Sequence, residues 1–325
     1  VIALQSKPNA PVNFYLDFNG ARVTEDEIIV ARADGIDQPF YVPAYDTDGD
    51  RRSISVAEEA EIIEIYRRIA EDFAPFDVNV TTVDPFLFGA RAGLQTVIGG
   101  DGSWHGVTNA TGFAALDTFG VGAGDNMAIA FSDLFSSNKE TALETSAAIA
   151  NALGIETHYT NGDPTQPRLP GYPAYGAIGG DSVNSLRDIF QNVAGSSSVV
   201  PIDPLAIITN STNRIRYRSD DHGNDAGTAS LVTLSTNTET LTGIIESNTD
   251  VDVFSFETRA SNAAIISITG LDLTVTSTGA TVPGVTNPGA NLDPVIQLLD
   301  ENFNVILQDG DFFASVNQLR NDNTV

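Results

Sequence analysis

The side chains able to do chemistry in this chain are overwhelmingly carboxylates. There are 43 Asp and Glu against three histidines, His105, His158 and His222, and no cysteine. Thiol catalysis, Cys-ligated zinc, iron–sulfur clusters and disulfide frameworks are excluded together. What remains is proton transfer and the holding of hard cations, which prefer oxygen ligands. Asp46, Asp48 and Asp50 alternate around Gly49, the oxygen spacing of calcium loops. The EF-hand pattern fails, because Arg51 stands at its glycine position and Ala57 at its bidentate-acid position. Two readings stay open: a calcium loop, or a solvated turn whose charge Arg51 and Arg52 neutralise. Carboxylate pairs occur by chance at this density, so none of them points to a glycosidase. Gly-x-Ser-x-Gly, P-loop and dinucleotide-binding glycine patterns are all missing.

The elements that must position these groups alternate in the first two thirds of the chain. Residues 12–18 alternate as a strand and end at Asn19-Gly20, a turn signal. Ser55-Val-Ala-Glu58 is a capping box, and Ile62, Ile65, Ile69 and Phe73 then form one apolar helical stripe that Pro75 stops. Residues 78–83, 96–98 and 127–131 read as further strands. A second helix is predicted over 139–153, small or apolar on several sides and closed by Gly154. A turn-rich stretch over 157–180 follows, then helical spacing over 183–193, with 203–208 leading to the boundary. From Asp220 onward the pattern changes to short β-type runs at 231–234, 241–245, 251–257, 264–268, 273–276 and 295–299, separated by turns. These runs predict a small antiparallel sandwich of jelly-roll type.

At 325 residues the chain suits two domains, with the boundary at the polar stretch Asp220–Asn224. Its 16 Lys and Arg leave a net charge of −27, which excludes nucleic acid and anionic membranes as partners. No apolar run is long enough for a membrane span. Residues 1–7 lack a charged leader followed by an apolar stretch; any secretion signal was removed before Val1 or never belonged to the chain. Strong acidity, two lysines in all, and abundant Asn, Thr, Ser and Gly suit an extracellular, calcium-rich or saline setting.

Several segments resemble secreted bacterial metalloproteases related to the metzincins. They are Phe14-Tyr-Leu-Asp-Phe-Asn-Gly20, Ala44-Tyr-Asp-Thr-Asp-Gly-Asp50 and, longest, Ala70-Glu-Asp-Phe-Ala-Pro-Phe-Asp-Val-Asn-Val-Thr-Thr82. Asp220-Asp-His-Gly-Asn224, Gly243-Ile-Ile-Glu-Ser247 and Asp250-Val-Asp-Val-Phe-Ser-Phe256 resemble a bacterial pre-peptidase C-terminal domain. The resemblance implies an α+β metzincin-like (zincin) domain over 1–219, followed by an all-β jelly-roll-like sandwich over 220–325. In that family a central helix carries His-Glu-x-x-His-x-x-Gly-x-x-His, the histidines for zinc and the Glu for its water. The matching stretch is Ser146-Ala-Ala-Ile-Ala-Asn-Ala-Leu-Gly-Ile-Glu-Thr157. The first two ligand positions fall on Ala147 and Asn151, the glutamate on Ala148 and the third ligand on Thr157. Tyr175 stands where the family's Met-turn has methionine. The resemblance therefore implies an inactive homologue without zinc. His158 lies one residue past the third ligand position, and a lone imidazole makes a poor zinc site; His105 sits in a Gly-rich loop and His222 in the boundary motif.

In the resembling sandwich domains, acids from the linker and an early strand converge on calcium. That implies a site at Asp220, Asp221, Asn224, Asp250 and Asp252, against the alternative of a hydrogen-bonded junction in which they cap turns. Such domains normally continue with more strands after a segment like 311–319, whereas this sequence closes at Val325. Either it is a piece of a longer chain or the sandwich keeps an exposed edge open to strand addition. The expected role is binding or structural, at a bacterial cell surface or in an extracellular filament or array, through protein contacts or self-association. The alternatives are a regulator that binds peptides in the inactive cleft, and a hydrolase using acids such as Glu156 or Asp163.

Overall fold

The computed structural model describes residues 1–23, 40–85, 93–103, 111–120, 126–155, 204–233, 239–247, 249–257 and 296–309. Strand β1 (Val12–Asp17) is followed by the short antiparallel pair β2 (Ala21–Val23) and β3 (Phe40–Val42), then helix α1 (Val56–Asp72) and β4 (Val78–Thr81). Next come β5 (Gly93–Ile98), β6 (Gly112–Ala114), β7 (Met127–Ala130) and helix α2 (Asn138–Ala152). Five of these strands form one sheet in the order β4-β1-β5-β7-β6. All its neighbours run parallel except β6, which pairs antiparallel with β7 at one edge. The class is mixed α/β around a largely parallel sheet.

Such a sheet needs cover on both faces, and the alternation along each strand supplies it. Phe14, Leu16, Val78, Val80, Leu94 and Ile98 join Ile62, Ile65 and Ile69 of α1 and Ala147, Ile149 and Ala150 of α2 in one apolar core. Val97, Met127 and Ile129 point the other way and pack under Val23, Phe40 and Val42. β2, β3 and β6 are three residues each, too short to show any period in the sequence. β5 begins three residues before the predicted start at 96.

The helix ends follow their caps. Ser55 Oγ accepts the Glu58 N–H, and Glu58 Oε2 accepts the Ser55 N–H at 2.8 Å. α1 stops at Phe73, whose ring meets Phe14 edge-on at 5.0 Å. At the far end of α2, Gly154 takes φ +99° and donates to Asn151 O, while Ile155 N–H reaches back to Ala150 O at 2.9 Å. That is a Schellman closure. Asn213, almost fully buried, donates to Leu153 O and Ile207 O, tying the end of α2 to the short helix α3 (Pro204–Ile208). The chain then returns to the turn after α1. Asp77 N–H donates to Arg216 O, Arg218 N–H donates to Pro75 O, and Tyr217 stacks on Phe76.

Beyond residue 219, β8 (Ser230–Val232) pairs with β9 (Phe254–Phe256), and β10 (Ile296–Leu299) with β11 (Val305–Asp309). The second pair is antiparallel, as predicted. The first is parallel, with residues 233–253 as its crossover. The predicted strand at 241–245 is irregular and that at 251–257 shortens to three residues, because both stretches spend backbone groups on side-chain oxygens near residues 220–224. The predicted runs at 183–193, 264–268 and 273–276 lie outside the described residues.

A β-carbon at Gly154 would meet Asp117 Oδ1 at 2.9 Å in a left-handed backbone conformation. Gly154→Ala should therefore lower stability by about 1–2 kcal/mol, read from the urea midpoint. An unchanged midpoint would show that α2 closes some other way.

Candidate functional site

Three groups of residues stood out in the sequence, and the structure treats them differently. The first lies on α2, which is buried along nearly all its length between α1 and the sheet. Ala147 is 2% exposed and belongs to the main apolar core, and Ala148 is 1% exposed. Asn151 lies one turn further on, and its carbonyl accepts from Asp117 and Gly154. The acids that α2 does carry are Glu140 and Glu144. Glu140 Oε2 accepts from the backbone and hydroxyl of Ser136 and the hydroxyl of Ser137. Glu144 packs against the edge strand, its Oε1 only 3.0 Å from where a side chain on Gly112 would begin. Zinc needs nitrogen, sulfur or oxygen ligands and an open position, and methyl groups in a filled core offer neither. Ala147 and Ala148 therefore supply no zinc ligand. Thr157, Tyr175, His105, His158, Glu156 and Asp163 lie outside the described residues.

The second group is the loop before α1. Asp46 and Asp48 come together with Glu58, one residue past the failed bidentate position, their oxygens within 4.8 Å of one another. Every acid there already has a donor. Asp46 Oδ1 accepts from Asp48 and Gly49 N–H, Asp48 from Asp50, and Asp50 from Arg52 N–H and Ser53 Oγ. Glu58 Oε1 accepts from Thr47 N–H at 2.9 Å. Arg51 then bridges Asp46 and Asp133, at 3.4 and 2.7 Å. Arg51 thus brings a positive charge to Asp46, one of the two readings that the sequence left open. Arg52 contributes its backbone N–H.

The third group is the junction at 220–252, and it is built differently. His222 is its hub. Nε2 lies 2.9 Å from Thr242 O, which can only accept, so Nε2 carries the proton; Nδ1 meets Ser230 Oγ at 2.8 Å. The ring also packs on Phe254 at 4.4 Å. Around this hub, Asp220, Asp250 and Asp252 place carboxylate oxygens within 4.8 Å of one another, and so do Asp220, Asp221 and Glu246. Asn224 stands beside them, but its Oδ1 takes the Val251 N–H at 2.6 Å and its Nδ2 donates to Asp220. Sequence reasoning missed Glu246, although it lies in the quoted Gly243–Ser247 segment. It is 6% exposed, and no donor reaches either carboxylate oxygen. Asp250 Oδ1 and Asp252 Oδ1 are buried without a partner as well.

Orphaned buried oxygens beside like charges are costly. A pair of carboxylates about 5 Å apart repels by roughly 1 kcal/mol in water-like surroundings and about 3 at an effective dielectric near 20. Proton affinities respond. Burial, then the adjacent Asp250 carboxyl and the charges of Asp221 and Asp220, push Glu246 up to about 7. Burial and the charges of Asp221 and Asp250 push Asp252 up to about 6. The donor set, all oxygen and strongly negative, is one that calcium suits. The residues fit the ion.

Without a metal, the folded state holds more protons at these two sites than the unfolded chain does, between about pH 4 and 7. Their contribution to stability is present at the acid end and is lost as pH rises through 6 and 7. Melts in EDTA from pH 5 to 8 should show a falling melting temperature that Glu246→Gln flattens; parallel curves would remove Glu246 as a cause. No family model and no curated protein matches this chain, so its function must be read from its own residues.

Proposed function

We propose that this chain is a secreted, non-catalytic protein with a metzincin-like unit over 1–219 and a pre-peptidase C-terminal-like sandwich over 220–325. Its role is binding or structural, at a bacterial cell surface or in an extracellular assembly. One observation carries the reading: Ala147 and Ala148, at the positions the resemblance assigns to a zinc ligand and the general base, are 2% and 1% exposed. A hydrolytic metal would need ligands, a water and room for substrate at that place. The central position of α2 against the parallel sheet supports the scaffold half of the proposal. No helix among the described residues is long and apolar enough to cross a membrane.

Calcium belongs to the proposal at Asp220, Asp221, Asp250 and Asp252, where the oxygens converge; bound there, it offsets mutual repulsion. Asp46, Asp48 and Asp50 stay a secondary candidate, with Arg51 as the competing cation. Self-association is supported by β10 and β11, where Leu299, Val305, Ile306 and Leu307 are each more than a third exposed and Phe303 in the turn between them is more exposed still. A strand pair with that much apolar surface invites a partner.

Metal analysis of the purified protein should find no stoichiometric zinc, and casein should remain uncut. One tightly held zinc per chain together with proteolysis would overturn the proposal. Electron microscopy and light scattering with and without calcium then divide the roles, since ordered polymers favour assembly and dispersed monomers favour binding.

A further inference from the structure

The outer edge of β4 is covered by residues 2–7, which run antiparallel along it with Gln5 opposite Thr81. Ser6 N–H donates to Val80 O at 2.9 Å, and Thr82 N–H donates to Leu4 O at 3.1 Å. The other bonds pass through side chains. Val80 N–H donates to Ser6 Oγ, Leu4 N–H to Thr82 Oγ1 and Lys7 N–H to Asn79 Oδ1, while the Thr81 hydroxyl donates to Leu4 O. Lys7 also pairs with Asp77. β4 needs such a cover, because Val80 and Thr82 are buried and their amides would otherwise be left unpaired. The grip itself is thin: Leu4 packs on the main core only partly buried, and Val1 and Ile2 are 43% and 36% exposed. The link to β1 is short and bent. Ala10 N–H closes a turn onto Lys7 O at 3.2 Å, with Asn9 held at φ +73°. Pro8 suits such a turn, but the left-handed backbone at Asn9 is unfavourable for a residue with a side chain. Pro11 meanwhile biases Ala10 towards extended backbone. Straightened, residues 7–11 would span roughly 17 Å, enough to carry residues 2–7 off their own sheet.

We propose that the outer edge of β4 is a strand-acceptor site between copies of this chain, taking residues 2–7 of a second copy with Gln5 again opposite Thr81. The inference rests on the self-association reading above and names the surface and the segment that joins the copies. A second copy is the partner because the edge is matched to this stretch residue by residue. Ser6 Oγ meets the Val80 amide, Asn79 Oδ1 meets the Lys7 amide, and Asp77 meets the Lys7 ammonium. Each bond broken in the closed chain is remade across the pair, so exchange sacrifices none of these contacts. Release of the turn at Asn9 favours the open arrangement, as strain in a short hinge does generally. Mutual exchange closes a dimer, whereas a one-way hand-over continues from copy to copy.

The chain has no cysteine, so single-cysteine variants report the exchange directly. Bonds from Ser6 to Val80 and from Thr82 to Leu4 flank Gln5 and Thr81, making them a non-hydrogen-bonded antiparallel pair, whose Cα separation of about 4.5 Å suits a disulfide. Full-length Gln5→Cys and Thr81→Cys are mixed at high concentration, oxidised and run on a non-reducing gel, with circular dichroism to confirm folding. The mixture should give a covalent dimer of one copy of each, at least fivefold above either variant alone. Asn9→Gly, which relaxes the turn, should lower that yield at least threefold. The double variant, oxidised when dilute, should lock within one chain. A double variant that locks beside a mixture that yields no mixed dimer overturns the exchange. In that case light scattering of the wild-type chain decides the wider reading: polymers keep self-association on another surface, and monomers at every concentration overturn it as well. A double variant that forms no disulfide shows that residues 2–7 do not lie on β4 and overturns the inference at its root.

Discussion

A helix buried along nearly all its length constrains everything around it. α2 is enclosed by α1 on one side and by the sheet on another. Its side chains must therefore be small where backbones approach and satisfied where they are polar. Alanine at 142, 147, 148, 150 and 152 meets the first demand. Thr145 bonds back to Thr141 O at 2.7 Å, and Ser146 donates to Asp72 at 2.6 Å, meeting the second. Forcing an imidazole or a carboxylate into such a site costs about 1–3 kcal/mol in overpacking alone. Close packing of α2 and the methyl side chains at 147 and 148 are thus the same structural fact.

The same accounting explains how the first unit tolerates its acidity. Glu58 and Glu140 sit in the first turns of α1 and α2, where unsatisfied amides and the helix dipole favour negative charge. Arg68 pairs with the buried Glu64, whose other oxygen accepts from Asn138 across the helix interface. Lys7 pairs with Asp77. Even the buried Asp17 is furnished with donors, taking Gln95 Nε2 at 2.8 Å and Asn19 N–H at 2.9 Å, although burial raises its proton affinity. Each of these acids has a local answer in helix termini, guanidinium or amide groups.

The parts of this arrangement legible in the sequence were those with a period or a local cap. α1, its capping box, α2, its glycine closure and strands β1, β4 and β7 all carry such signals. β2, β3 and β6 do not, because three residues cannot display alternation, and their existence depends on the edges and faces that the long elements leave uncovered. The candidate site was half legible. Spacing brought out Asp46, Asp48 and Asp50, but it could not reveal that Arg51 turns back onto Asp46, since that depends on where Asp133 lies in space. Glu246 was hidden for another reason. Nothing in Gly243-Ile-Ile-Glu-Ser247 distinguishes a buried acid from a surface one, and only the fold of the crossover places it inside. The one usable signal was negative: a glutamate following two isoleucines in a β-type run sits where an apolar residue is more often found.

Cation scarcity is what makes the junction different in kind. Of the 16 Lys and Arg in the chain, only Arg259 and Arg320 lie beyond residue 219, against fifteen Asp and Glu there. In the first unit a carboxylate can find an arginine, an asparagine amide or a helix terminus within reach. At residues 220–252 the nearby bases are Arg218, whose charge acts on Glu246 and Asp221 while its Nε donates to Phe76 O, and a histidine committed to hydrogen bonds; the strands there are too short to provide a helix-like run of free amides. Beyond the charge of Arg218, neutralisation of Glu246 comes from protons, which its raised affinity supplies near neutral pH and below, or from the solvent's own cations. A protein carrying 27 excess negative charges lives among a dense atmosphere of such ions. Clustered carboxylate oxygens such as the junction's are of the kind that divalent ones prefer. The acidity of the chain and the orphaned carboxylate at the junction therefore raise the same demand for neutralising charge.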